Sequence, residues 1–443
     1  MKFRISLAIR VLTACMICFF PTGSLSPARA ASPVKTADGA LKASSYPKGK
    51  NGLSGKPGRD GSASASPGTA ASLTCKDWFS LSAESAAHWR LSPAPEDGMA
   101  FVLRPRKEAA PKERYRIMVL FPKKSSAYDT AMETILSVFR DKNICAEFVG
   151  VNFFMKEEAG AAALRQAEAD PCDLIFSMGS GSTDFVHKNH SAGKVPVVSV
   201  CAKDPVLLGQ IRDYDTGSGN HMAFTSLNVP VALQMAYLRK LIPDLRNIAV
   251  IYARKNRSAV ITQFRPLRDM AGRQGINVME IVVEDRKNAR AEIESKMPAA
   301  LESVRKSGQE KNSLIWITGS TSVFREIETI NRNAGVIPVL SAVPDVVTEG
   351  DNSAVLSIGV SFENNAYLAA IYAIRILREK AEAGDLRVGL VSPPDIAVNF
   401  KKAREIGLLI PFRFFELASY VYDHEGKKVR MKGQKVTDLA PQP

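Results

Sequence analysis

Residues 173–184 read DLIFSMGSGSTD. Asp173–Met178 is a near-continuous apolar run rather than an alternating one. Such a strand is buried on both faces, which is the habit of parallel sheets covered by helices. The run ends on Gly179-Ser180-Gly181-Ser182-Thr183-Asp184, and helical periodicity follows over Thr183–Ser191. A strand, a small polar loop and a helix in that order make a β/α unit.

The same unit recurs on both sides. Upstream lie a strand at Arg116–Phe121 (RIMVLF), a helix at Ala127–Arg140, a strand at Cys145–Val151 and a helix at Lys156–Ala169. Downstream, Val195–Val200 (VPVVSV) closes the first series. A second series follows, with strands at Asn247–Tyr252, Asn277–Val283, Ser313–Thr318, Ile337–Ser341 and Ala354–Gly359. Its helices fall at Val229–Leu241, Val260–Gly272, Ala289–Lys306, Val323–Asn333 and Asn364–Ala381. The pattern predicts an α/β fold of two doubly wound parallel-sheet lobes joined by a hinge. Ligands of open α/β sheets bind beyond the carboxyl ends of the strands, so two facing lobes place one site in the cleft between them.

The start of the chain carries a different signal. Lys2, Arg4 and Arg10 precede the apolar run Val11–Phe20, and Ala28-Arg29-Ala30 forms a small-x-small site before Ala31. This is the pattern of a signal peptide over residues 1–30, and it predicts a periplasmic protein. Leu12-Thr13-Ala14-Cys15 offers a lipid anchor at Cys15 as the less favoured alternative. No later segment has the roughly 18 uninterrupted apolar residues of a membrane-spanning helix. Residues 31–73, rich in Ser, Ala, Gly, Pro and Lys, are expected to be a disordered linker. Residues 74–114 form a small N-terminal extension. Lobe one is expected over 115–225 with 355–385, lobe two over 226–354 with 386–415, and a C-terminal tail over 416–443.

The formal charge is +14, and losing the four basic and no acidic residues of 1–30 leaves +10. Much of that excess lies in linker and tail runs, and an exported chain gives it no nucleic acid to meet. Cys75, Cys145, Cys172 and Cys201 carry no C-x-x-C spacing, so a metal site is not expected. An exported chain permits a disulfide that these spacings do not select, and the place of Cys145, Cys172 and Cys201 in or beside apolar strand-like runs favours buried free thiols.

Five loops after the strands are rich in small polar residues. They hold Ser125 and Ser126; Gly179, Ser180, Ser182 and Thr183; Lys203 and Asp204; Asn256, Arg257 and Ser258; and Thr318, Ser320, Thr321 and Ser322. Helix N-termini offer free N–H groups and partial positive charge, glycine admits close approach, and hydroxyls add hydrogen bonds. The plainer reading of each Ser, Thr or Asp is a helix cap. Other chemistries find no motif. Gly179-x-Gly181 follows the third strand and lacks a third glycine, which excludes a dinucleotide fingerprint. There is no Walker lysine motif and no Gly-x-Ser-x-Gly elbow. His187 and His190 lack a third ligand motif. A non-enzymatic protein with no cofactor and no metal is therefore expected.

Several segments together are similar to one family. They are Ala397-Val398-Asn399-Phe400 through Ala403, Gly407, Ile410 and Pro411; Val195-Pro196-Val197-Val198 with Asp204-Pro205; Leu241-Ile242-Pro243 leading to Asn247–Tyr252; and Ile337-Pro338-Val339. Over residues 115–415 the chain resembles the ABC transporter substrate-binding proteins of the tryptophan/tyrosine type, a branch of the type I periplasmic-binding fold. The resemblance implies a monomer that closes around a small-molecule ligand and docks on the membrane permease of an ABC importer. It places cleft contacts on the loop residues named above. The same fold can instead present its ligand to a membrane signalling partner, and a permease or a histidine kinase encoded nearby would tell these apart. Two departures stand out. Ser125-Ser126 stands where relatives often have His-Pro, and Ser341-Ala342-Val343-Pro344-Asp345 where they carry an acidic pair. Lys123, Lys124, Lys203 and Arg257 add cations, which makes an anionic or polar ligand as fitting as an aromatic amino acid.

Overall fold

The structure, a computed structural model, describes residues 74–94, 97–107 and 114–436. The expected signal peptide, the Cys15 anchor and the 31–73 linker lie outside the described residues. In the first lobe, α1 (Ala83–His88), β1 (Trp89–Ala94) and β2 (Asp97–Pro105) precede β3 (Tyr115–Phe121), α2 (Ser126–Asp141) and β4 (Ala146–Asn152). Then come α3 (Glu157–Ala169), β5 (Leu174–Met178), α4 (Gly179–Asn189), β6 (Val197–Val200), β7 (Met222–Ala223) and β8 (Thr225–Ser226). The sheet order is β1-β2-β4-β3-β5-β6-β7, parallel from β4 to β7.

The second lobe begins with α5 (Val231–Leu241), β9 (Asn247–Ala253), α6 (Arg257–Ala259), α7 (Arg265–Arg273), β10 (Asn277–Val283) and α8 (Ala289–Lys306). It continues through β11 (Ser313–Ile317), α9 (Thr321–Phe324), α10 (Ile327–Ala334), β12 (Val339–Ser341) and β13 (Leu356–Gly359). Next, α11 (Phe362–Glu379) returns to the first lobe, and β14 (Gly389–Leu390) pairs with β8 between the lobes. Finally β15 (Asp395–Asn399), α12 (Phe400–Glu405), α13 (Phe412–Leu417), β16 (Tyr420–Tyr422), β17 (Lys428–Met431) and β18 (Gln434–Lys435) complete the second. Its sheet runs β10-β9-β11-β12-β13-β15-β16-β17-β18.

Burial explains the strand composition. Every residue of β5 and β9 is buried, so both faces must be apolar. On β4, nearer the sheet edge, buried and half-buried residues alternate. Among the described residues all four cysteines are free, with Cys75 and Cys201 buried.

Four boundaries differ from expectation. The 74–114 extension is part of the first lobe: Ala100–Leu103 of β2 pairs antiparallel with Phe148–Val151 of β4. Trp78 and Phe79 pack on Phe101, with ring centroids at 5.3 and 4.3 Å. The strand near 355 belongs to the second lobe, where β13 pairs with β12 and β15; only the following helix lies on the first lobe. The 416–443 tail contributes β16, β17 and β18 to the second sheet. The helix expected from Thr183 begins at Gly179, straight off the end of β5, so the Gly/Ser loop is its first turn.

Local chemistry sets the contacts between the lobes. Pro266 has no N–H, so the carbonyl four residues earlier, on Thr262, loses its helical partner. Residues Val260–Phe264 widen into a π-turn at that point. Asn228 Nδ2 donates to the freed Thr262 carbonyl at 3.0 Å, and Asn228 Oδ1 accepts from the Asp204 N–H at 3.0 Å. One side chain in the connector thus holds both lobes. At another connector, Asp395 accepts from the Ser361 N–H (2.8 Å) and from Asn364 Nδ2 (2.7 Å), fixing the start of α11.

Candidate functional site

A cavity of about 460 Å³ lies between the lobes, at the carboxyl ends of their central strands. The first lobe supplies Lys123 and Ser125 after β3, Ser180 and Gly181 from α4, and Cys201 and Lys203 after β6. The second supplies Lys255, Asn256, Arg257 and Ser258 after β9, Arg286 after β10, and Gly319 and Thr321 after β11. Tyr128, Met155, Ile261, Phe324 and Phe362 give the walls an apolar component.

The geometry starts at Gly179. Its φ of +74° disfavours any side chain, and a Cβ there would collide with the Tyr128 hydroxyl. That tight turn sends α4 directly away from the cavity, and its N-cap residue, Met178, makes no capping hydrogen bond. Ser180 Oγ accepts the Lys203 N–H at 2.9 Å, which ties the β6 loop to that first turn. The Cys201 N–H donates to Asn365 Oδ1 at 2.7 Å, bracing the loop from α11. On the facing lobe, Asn256 Nδ2 donates to Ser320 Oγ at 3.0 Å, and Gln263 Oε1 accepts the Gly319 N–H at 2.8 Å.

Lys203 is the buried cation of the site, with 7% exposure. Burial pulls its ammonium down from its ordinary value to about 8. No carboxylate among the described residues pairs with it. At the mouth, desolvation and then the Arg286 and Arg325 guanidiniums of the other lobe hold the Lys123 ammonium below its usual range. Burial pushes the Tyr128 hydroxyl and the Cys201 thiol up, so both stay neutral. Asp184 also lines the cavity, and Lys188 pairs with it at 2.7 Å.

Seven of the residues expected to face the ligand line this cavity: Ser125, Ser180, Lys203, Asn256, Arg257, Ser258 and Thr321. Ser126, Gly179, Ser182, Thr183, Asp204, Thr318, Ser320 and Ser322 do not. Their environments explain why. Ser182 and Thr318 are fully buried, and Thr318 Oγ1 donates to the Ile251 carbonyl at 3.2 Å. Thr183 and Ser177 share a hydrogen bond of 2.8 Å inside the first lobe. Asp204 accepts from the Val206 and Leu207 N–H groups and from the Tyr214 hydroxyl, which makes it a turn residue. Lys124 turns to the N-terminal segment and donates to the Asp77 carbonyl at 2.7 Å. Sequence reasoning passed over Met155, Lys188, Lys255 and Arg286. Pro266, by displacing the helix that carries Arg257, Ser258 and Ile261, was the one local signal near the site.

Comparison with known proteins places this architecture. The family model described as ABC transporter substrate binding protein matches residues 125–421. No curated protein matches the chain in sequence. Among solved structures, a conserved domain protein from Vibrio cholerae is 18% identical, with a TM-score of 0.54 over 70% of this chain and 99% of that one. An ABC domain from Streptococcus pneumonia, in complex with L-Trp, is 16% identical, with a TM-score of 0.53 over 69% and 99%. A substrate-binding protein with adhesive properties from Clostridium difficile, in its ligand-free open form, is 19% identical, with a TM-score of 0.52 over 68% and 96%. At these identities the likeness is one of fold.

Proposed function

The chain belongs to the ABC transporter substrate-binding protein family, a family of solute-binding proteins rather than enzymes, and from that premise we propose that it captures a small polar or amino-acid-like solute between its lobes and delivers it to the membrane permease of an importer. The observation that carries this reading is the double origin of the cavity wall. Lys203 and Ser180 come from one lobe, Asn256, Arg257 and Thr321 from the other, and connectors at Asn228, Ser361 and the β8–β14 pair join them. A ligand touching both walls favours the closed arrangement by its differential contacts, and closure is what a membrane partner can recognise. The export pattern read at residues 1–30 supports a periplasmic setting for this work.

The test is direct. Small molecules released from the purified, denatured protein are identified by mass spectrometry and added back. The expected result is one dominant species that compacts the protein in solution scattering and is recovered chemically unchanged. Recovery of a converted product, or a protein that releases nothing and is compacted by nothing extracted from its source cells, overturns the reading.

A further inference from the structure

The cavity wall carries six basic side chains and one carboxylate. Five of the cations, Lys123, Lys188, Lys255, Arg257 and Arg286, stand exposed around the mouth, and Lys203 is buried within. The carboxylate, Asp184, is already taken by Lys188. We infer that the solute is a net-anionic oxyanion bearing an apolar group and no ammonium, a small carboxylate, phosphonate or sulfonate whose charge sits between Lys203 and the first turn of α4. This rests on the solute-binding reading and names the class of solute.

Three observations converge on it. An unpaired ammonium more than nine-tenths buried is costly unless a counter-charge arrives, and none of the described residues brings one. Ser180 and Gly181 lie in the first turn of an eleven-residue helix whose N-cap residue, Met178, makes no capping hydrogen bond, so partial positive charge and backbone N–H groups face the same space. Finally, Lys123 on one lobe feels Arg286 and Arg325 on the other, so like charges meet across the mouth. An anion between them converts repulsion into attraction, which couples closure to the charge of the solute. Tyr128, Met155 and Phe324 give the same space apolar surface for the remainder of the solute, beside the hydrogen-bonding groups of Ser125, Asn256 and Thr321.

Thermal melts of the full chain with five probes test this: benzoate, phenylphosphonate, benzenesulfonate, benzyl alcohol and L-tryptophan. At least one of the three oxyanions is expected to raise the melting temperature, less so as KCl is added, and benzyl alcohol is expected not to. Lys203→Met should weaken the effective oxyanion by about ten- to a hundredfold, as for loss of a charge-assisted hydrogen bond. The ligand-free melting temperature of that variant should rise, which reports that it folds. Arg286→Gln should weaken the oxyanion less and flatten its salt dependence. An oxyanion effect that survives Lys203→Met overturns the inference. So does a rise with L-tryptophan or benzyl alcohol while all three oxyanions are inert, and that outcome leaves the solute-binding reading standing. No rise with any probe also counts against the inference, while the molecule released from the protein judges the solute-binding reading separately.

Discussion

Lys203 Nζ, from the first lobe, lies 2.5 Å from the position a Cβ would take on Gly319 of the second. Its Cε lies 3.4 Å from the same point. The ammonium therefore occupies the space that glycine leaves free, and the lobes meet at a charged side chain rather than at an apolar seam. Nothing in the backbone of Gly319 demands glycine, since its φ is not in the left-handed region. The requirement is the neighbour across the cleft.

Gly319→Ala tests that requirement. A Cβ must displace Nζ, which the flexible lysine stem allows only by moving into the cavity or by separating the lobes. Solute affinity should fall about tenfold, a loss of roughly 1.4 kcal/mol. Ligand-free stability should hold or rise slightly, because alanine restricts the unfolded chain. Calorimetric titration with the identified solute beside a thermal melt checks both. Equal losses of affinity and stability would show that the contact is structural.

Lys203 also predicts a pH dependence. The unfolded chain binds its proton below about 10.5, the folded chain only below about 8. Between these values the unfolded state holds more protons, so this group's contribution to stability rises with pH; below about 8 it is a constant cost. The whole effect is on the order of 3 kcal/mol. The stability advantage of Lys203→Met over the wild type should therefore be largest near neutrality and shrink above pH about 8. Denaturant unfolding of both proteins across that range measures it, and a parallel pair of curves would contradict the burial of an unpaired ammonium.

Much of the fold was legible because a strand buried on both faces has to be apolar throughout, as Leu174–Met178 and Asn247–Ala253 are. Which sheet a strand joins is not written in that pattern. Leu356–Gly359 reads equally well for either lobe, and its pairing with Asp395–Asn399 is a long-range choice. Cross-strand partners likewise hid the place of Met99–Pro105 and Tyr420–Tyr422. At the site, a small polar residue after a strand could point outward or inward. One residue of helical rotation separates Gly181, on the wall, from Ser182, in the core. Lys203 stood out as a cation at a strand end. Arg286 also follows one, that of β10, but in a run of charged residues, Glu284–Lys287, rather than in a loop rich in small polar residues like the other five.

The N-terminal segment should be inseparable from the first lobe. Trp78 is 3% exposed and meets Phe101, Phe121 and Phe154 with ring centroids at 5.3, 5.4 and 6.3 Å. Trp78→Ala should cost about 3–5 kcal/mol, as for other buried aromatic truncations. A chain beginning at Thr74 should melt as the full-length protein does, and one beginning at Arg114, which exposes the β4 edge and the Phe121 face, should aggregate. Circular dichroism melts and size-exclusion chromatography compare the three. A soluble, binding-competent protein beginning at Arg114 would show that the segment is an ornament.

Ser182 and Thr318 sit at matching places, one near the start of α4 and the other at the end of β11, where hydroxyls would suit a ligand. Both are fully buried and neither reaches the cavity wall. Ser182 Oγ has no partner among the described residues, so Ser182→Ala removes a buried, unsatisfied group and should be neutral or stabilising by up to about 1 kcal/mol. Thr318→Val removes the bond to the Ile251 carbonyl and should cost about 0.5–1.5 kcal/mol. Because neither hydroxyl touches the cavity, the double variant should bind the solute within about twofold of the wild type, less than 0.5 kcal/mol. Ser180→Ala is the contrasting substitution. Its Oγ holds the Lys203 N–H and lines the wall, so its loss should weaken binding about five- to tenfold even though it lies two residues away. Titrations of the two variants side by side decide the matter: if the double variant loses more affinity than Ser180→Ala, the solute penetrates deeper than the cavity wall and the two buried hydroxyls belong to the site after all.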